Sequence, residues 1–103
     1  MKYVMFWEYS FENHEKVMEK LKTFRKARKK NPDLFPKFIS KNYAMVEGPR
    51  GFQLLETENE EHLANFVLHY QPEVWFNFEP IIEVSKSVKL YQELKNSRNN
   101  YTI

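Results

Sequence analysis

The sequence predicts an α+β sandwich, with two helices covering one face of a four-stranded antiparallel sheet. Three observations carry this. The tight turn Gly48-Pro49-Arg50-Gly51 runs at once into the apolar stretch 52–57, as a hairpin does. Apolar residues recur at helical spacing on both sides of that hairpin, at Val17, Leu21 and Phe24 and again at Leu63, Phe66, Val67 and Tyr70. Aromatic and β-branched runs open the chain and follow the second helix.

Taken in order, Lys2–Tyr9 (KYVMFWEY) is too short for a core helix and reads as the first strand. Ser10 or Asn13 caps the helix that follows, with Glu12 and Glu15 at its positive end. Its basic last turns, 25–30, suit a negative C-terminus, and Asn31-Pro32 stops it. Residues 37–47 form a second, less regular strand, and 52–57 the third. Asn59 caps the second helix, with Glu60 and Glu61 in its first turn, and Gln71-Pro72 ends it. Residues 74–84 make a fourth strand, where Pro80 marks an edge or a bulge. A last helix covers 85–95, with Val88, Tyr91 and Leu94 on one side, and the polar tail 96–103 is expected to fray.

The order β-α-β-β-α-β with right-handed crossovers is the ferredoxin-like arrangement. It implies the strand order four-one-three-two, and the reading takes strands one and three as central and parallel. The 103 residues suffice for one domain, expected over 1–95. An apolar fraction of 42% is enough for a core and argues against disorder. A net charge of +2 is too small to imply a nucleic-acid partner, and the absence of cysteine excludes disulfides and thiol chemistry. No apolar run is long enough for a membrane span, and no leader pattern follows Met1, so a cytoplasmic protein is expected.

Side-chain alternation assigns the sheet faces. Val4, Phe6 and Glu8 of strand one, Phe52, Leu54 and Glu56 of strand three, and Trp75, Asn77, Glu79 and Ile81 of strand four are placed on the face without helices. Val74, Phe76, Phe78, Ile82 and Val84 are placed on the helix side. With strands one and three parallel, Glu8 and Glu56 would stand together as a paired-carboxylate site, one raising the pKa of the other and moving a proton. Phe6, Phe52, Leu54, Trp75, Asn77 and Glu79 would line a ligand cavity beside it. So much apolar surface calls for a cover, and a homodimer through the open face supplies one.

His14, His62 and His69 do not converge, so no metal site is expected, and His69 is placed toward solvent. Gly48 and Gly51 are read as turn glycines of positive φ, Trp7 and Trp75 as core or dimer packing in preference to pocket lining, and residues 20–30 as a solvated basic face. No cofactor motif is present.

The segment 48–56, the helix from Glu60 to Tyr70 and Phe78-Glu79-Pro80-Ile81-Ile82, with the aromatic first strand ending in Glu8, resemble a family catalogued as domain of unknown function 3303, which looks like a dimeric α/β-barrel group. The resemblance implies the fold and dimerisation; related barrels include monooxygenases, isomerases and binding proteins. A small-molecule binding or accessory protein is the leading expectation. The alternatives are a cofactor-independent monooxygenase or isomerase using a sheet-face carboxylate, and a wholly structural dimer. Arg50-Gly51-Phe52 also resembles the third-strand signature of RNA-recognition domains, but Leu54 replaces the second stacking aromatic and Glu8 and Glu56 would repel phosphate, which disfavours single-stranded RNA.

Overall fold

Strand β1 (Lys2–Tyr9) forms the centre of the sheet, hydrogen-bonded on one side to β4 (Arg50–Glu56) and on the other to β5 (Val74–Ile81). Beyond β4 lie two short pieces, β2 (Lys37–Phe38) and β3 (Tyr43–Ala44). Helix α1 (His14–Lys30) follows β1, α2 (Glu60–Tyr70) follows β4, and α3 (Val84–Tyr101) follows β5. The computed structural model describes the backbone of residues 1–101 and the side chains of residues 1–98. The fold is α+β and ferredoxin-like, with an open antiparallel sheet and three helices.

The strand order is the predicted one, but the direction of its central pair is not. β1 and β4 are antiparallel, with Lys2 opposite Glu56 and Glu8 opposite Arg50. The reason is topological. Each right-handed crossover returns the chain in the direction of the strand it left, and the two crossovers interleave, so every adjacent pair runs in opposite directions. β5 is likewise antiparallel to β1 and is an edge strand, where Pro80 forfeits no inner ladder bond.

The face assignment holds along β1, β4 and β5. Met5 and Tyr9 of β1, Leu55 of β4 and Val74 of β5 are buried beneath the helices, while Phe6, Glu8 and Trp75 are exposed on the other face. Val17 and Phe24 of α1 and Phe66 and Tyr70 of α2 complete the core. Phe24 is its hub, with ring centroids of Phe35, Phe66 and Tyr70 at 5.1, 5.0 and 5.6 Å. The two tryptophans lie on opposite faces: Trp7 stands in register with Phe76 on the helix side and Trp75 with Glu8 on the open side.

Local chemistry explains the boundaries. The side chain of Asn59 caps α2 by accepting from the Glu61 amide at 2.9 Å. At α1 neither Ser10 nor Asn13 supplies a side-chain cap; a 3-10 turn over Phe11–Asn13, closed by the Asn13 amide donating to the Ser10 carbonyl, leads into the helix instead. The expected second strand breaks in the middle. Four residues, 39–42, lie opposite two, 53–54, and the Ser40 hydroxyl accepts from the Leu54 amide at 2.8 Å in place of a ladder carbonyl. Neither glycine has positive φ. Gly51 is needed for space, as argued below.

β5 ends at Ile81, so Ile82 and Val84, predicted to face the helices, are exposed instead. The last helix reaches Tyr101, and its apolar side chains Val84, Val88, Tyr91 and Leu94 are exposed. The expected frayed tail therefore overlaps α3, and its final two residues lie outside the described ones. The long dimension of 60 Å matches a body extended by this helix, which adds about 27 Å.

Candidate functional site: a cavity between sheet and helices

The register separates the two carboxylates proposed as a pair. Glu8 and Glu56 occupy opposite ends of the β1–β4 ladder, Glu8 across from Arg50 and Glu56 across from Lys2 and Lys37. Each has a cation, not a second acid, across the β1–β4 ladder, and with the two at opposite ends of that ladder the paired-carboxylate site is not formed. Of the other residues predicted on the open face, Phe6, Trp75 and Asn77 join Glu8 around a shallow depression of about 440 Å³. Phe52, Leu54 and Glu79 lie outside it. Phe52 stacks on Tyr43 with centroids 5.4 Å apart, and Glu79 accepts from the Asn77 amide at 2.9 Å.

The better-formed cavity lies on the other face, between β1, α1 and α2, and encloses about 280 Å³. Parity brings Met5, Trp7 and Tyr9 of β1 to its floor, the apolar stripe of α1 provides one wall, and Phe66 and Tyr70 of α2 another. Most of its polar groups are already paired. The Trp7 indole donates to Asn42 Oδ1 at 2.7 Å, and the Gln53 amide donates to the Ser40 carbonyl at 3.1 Å. The Tyr9 hydroxyl shares a 2.8 Å hydrogen bond with His14 Nδ1. Burial raises the Tyr9 phenol above its ordinary pKa.

Tyr70 differs. It is only 6% exposed, yet among the described residues its hydroxyl has no hydrogen-bond partner, and the residue lines the cavity. Burial pushes its phenol up to about 12, while nearby Arg25 pulls the other way. Arg25 and Arg28, one turn apart on α1, also line the cavity, and neither meets a carboxylate among the described residues. The Arg28 guanidinium sits 4.3 Å from the centre of the Phe38 ring, which holds it in place. An apolar chamber with a free phenol inside and guanidinium groups on its wall can seat a small molecule and orient it through donors.

Sequence reasoning missed Tyr9, His14, Tyr70, Arg25 and Arg28 as a group, because three separate elements bring them together. One signal was available: the i, i+3 spacing of Arg25 and Arg28 puts both on one side of α1. The histidines were read as surface residues, but each has a local partner. His62 Nδ1 shares a 2.9 Å hydrogen bond with the Thr57 hydroxyl, and His69 Nε2 lies 2.8 Å from the Lys20 carbonyl, linking α2 to α1. His69 thus faces α1, not open solvent.

Among the described residues no helix is long and apolar enough to cross a membrane. No curated protein and no solved structure matches the chain. A family model described as a domain of unknown function (DUF3303) matches residues 1–95, nearly the whole chain, and the protein belongs to that family.

Proposed function

We propose that this is a cytoplasmic, homodimeric small-molecule binding protein whose ligand enters the cavity between the sheet and the helices. One observation carries the ligand reading: Tyr70, a buried residue, lines a largely apolar cavity with a hydroxyl that has no partner among the described residues. That hydroxyl is reached from the cavity and is not sealed off, so it bonds water there and can exchange that water for an acceptor on a ligand. A volume of about 280 Å³ falls at the small end of ligand pockets, which run from about 300 to 1,000 Å³, and suits a molecule of one ring. The dimer reading is supported by the open face, where Phe6 is 42% and Trp75 63% exposed. On this proposal Phe6, Phe52, Leu54, Trp75, Asn77 and Glu79 serve the dimer contact.

The test is a panel of one-ring compounds followed by thermal unfolding and by the Trp7 indole resonance. At least one is expected to raise the midpoint and shift that resonance, as ligand binding to the folded state requires. Leu21→Trp, which fills the chamber from α1, should abolish both responses. A panel that leaves Trp7 unmoved would sink the reading.

The Tyr9–His14 hydrogen bond supports a second reading, a cofactor-independent enzyme. Tyr9, kept protonated by burial, would donate its proton to an oxygen of the bound molecule, and the proton would be replaced from solvent through His14. His14→Gln would then abolish turnover and spare affinity. Equal loss of both would reject the catalytic role.

A further inference from the structure

We infer that the ligand of this cavity is a small aromatic carboxylate, its ring placed among Phe24, Phe66 and Phe76 and its carboxylate met by Arg25, Arg28 and the Tyr70 hydroxyl. The inference rests on the cavity being a ligand site and adds the chemical class of its occupant.

Charge comes first. The ionisable side chains on the cavity wall are two guanidiniums and two phenols, with no Asp or Glu among them. The formal charge on the wall is therefore positive only. A cationic ligand finds no counter-charge, and a neutral one leaves both guanidiniums unused. Arg25 and Arg28 stand three residues apart on one face of α1, and a carboxylate has two oxygens for two such donors.

The phenol follows. Of the two tyrosines, Tyr9 is committed to His14, while Tyr70 keeps a free O–H. Arg25 and Tyr70 both line the chamber, and the guanidinium acts electrostatically on the phenol. A phenol that stays protonated is a donor, so it matches an anionic oxygen and not an ammonium group.

The lining then limits the rest of the molecule. Phe24 and Phe66 meet edge-to-face at 5.0 Å, and Phe66 and Phe76 do so at the same distance, so the chamber is walled by aromatic faces and edges that suit a ring. A volume of about 280 Å³ admits one ring and a carboxylate. Phosphate fits poorly, because a compact, fully hydrated dianion would gain nothing from those rings and would lose its water.

The experiment compares benzoate with its neutral isostere benzamide, with the cation benzylamine and with inorganic phosphate, by titration calorimetry on the full chain. Benzoate is expected to bind at least about tenfold more tightly than benzamide, and benzylamine and phosphate not at all. In the Arg25→Gln/Arg28→Gln variant, both positions being solvent-exposed, the preference for benzoate over benzamide should vanish. The corresponding double lysine variant should keep part of the preference. Benzamide binding as well as benzoate, or tight phosphate binding, would overturn the carboxylate assignment and leave the cavity reading intact. No heat from any aromatic probe would overturn both.

Discussion

Trp7 lies directly over Gly51: a methyl group on Gly51 would stand 2.5 Å from Trp7 Cζ2 and 1.9 Å from the Tyr43 carbonyl oxygen. The two residues face each other across the β1–β4 ladder, and the indole occupies the space that a side chain at 51 would need. Gly51→Ala must therefore push β3 off β4 or displace the indole, which the Asn42 hydrogen bond holds. The expected cost is about 3 kcal/mol, or a midpoint lowered by about 12 °C or more. Gly48 has nothing within 4 Å of its missing Cβ and no positive φ, so Gly48→Ala should be neutral or stabilise by about 0.5 kcal/mol. Thermal unfolding of the two variants checks this, and similar effects at both sites would refute the steric account.

Acid sensitivity should concentrate at the α1–β5 junction. The Lys20 ammonium donates to both the Glu73 carboxylate and the Gln71 carbonyl, and its bond holds the Glu73 pKa below the ordinary carboxylate value of 4.5. A carboxylate whose pKa is lower in the folded state binds fewer protons there than in the unfolded chain. Its contribution is complete above 4.5 and is lost as pH falls through the lowered value. Lys20→Met should reduce stability at neutral pH and flatten the decline as pH falls below 4.5. Urea unfolding across that range measures it; parallel pH profiles for variant and wild type would count against the pair.

Much of the fold was legible because strand parity has a local cause. Met5 and Tyr9 alternate with Phe6 and Glu8 whatever the rest of the chain does, so the open face could be assigned from residue order. Strand direction was not local in that sense. It depends on following the chain through both crossovers, and the false pairing of Glu8 with Glu56 came from that step. The break at Ser40 was hidden for another reason: a hydroxyl replacing a ladder carbonyl leaves no periodic trace. The cavity was the least legible feature. It is space left where Tyr9, Phe24 and Tyr70 fail to fill the gap between three elements, and no spacing within one element encodes it.

The open face yields a prediction about assembly. Phe6 stands in register with Phe52 and Val4 with Leu54, so an apolar patch spans β1 and β4, with Trp75 exposed beside Glu8 on β5. If a second copy covers it, light scattering at micromolar concentration should give twice the chain mass. Phe6→Glu, at an exposed position that leaves the core untouched, should give a single chain mass with an unchanged far-ultraviolet spectrum. A wild-type mass of one chain would remove the dimer from the proposal.

Tyr70 links stability to binding, and the two should separate in Tyr70→Phe. The hydroxyl has no partner among the described residues and is open to water, so its removal should change neutral-pH stability by less than about 1 kcal/mol. Alkaline behaviour should differ more. The phenol ionises near 10 when unfolded and at about 12 when folded, so between these values the folded state binds more protons than the unfolded one. The stabilisation is complete below pH 10 and is lost as pH rises toward 12. Tyr70→Phe should therefore unfold at higher pH than the wild type and lose the phenolate absorbance step near 12. The same variant should bind benzoate about tenfold more weakly, since one of the three donors is gone. An alkaline midpoint shared with the wild type would show that Tyr70 is not buried. Undiminished benzoate affinity would show that its hydroxyl faces away from the ligand.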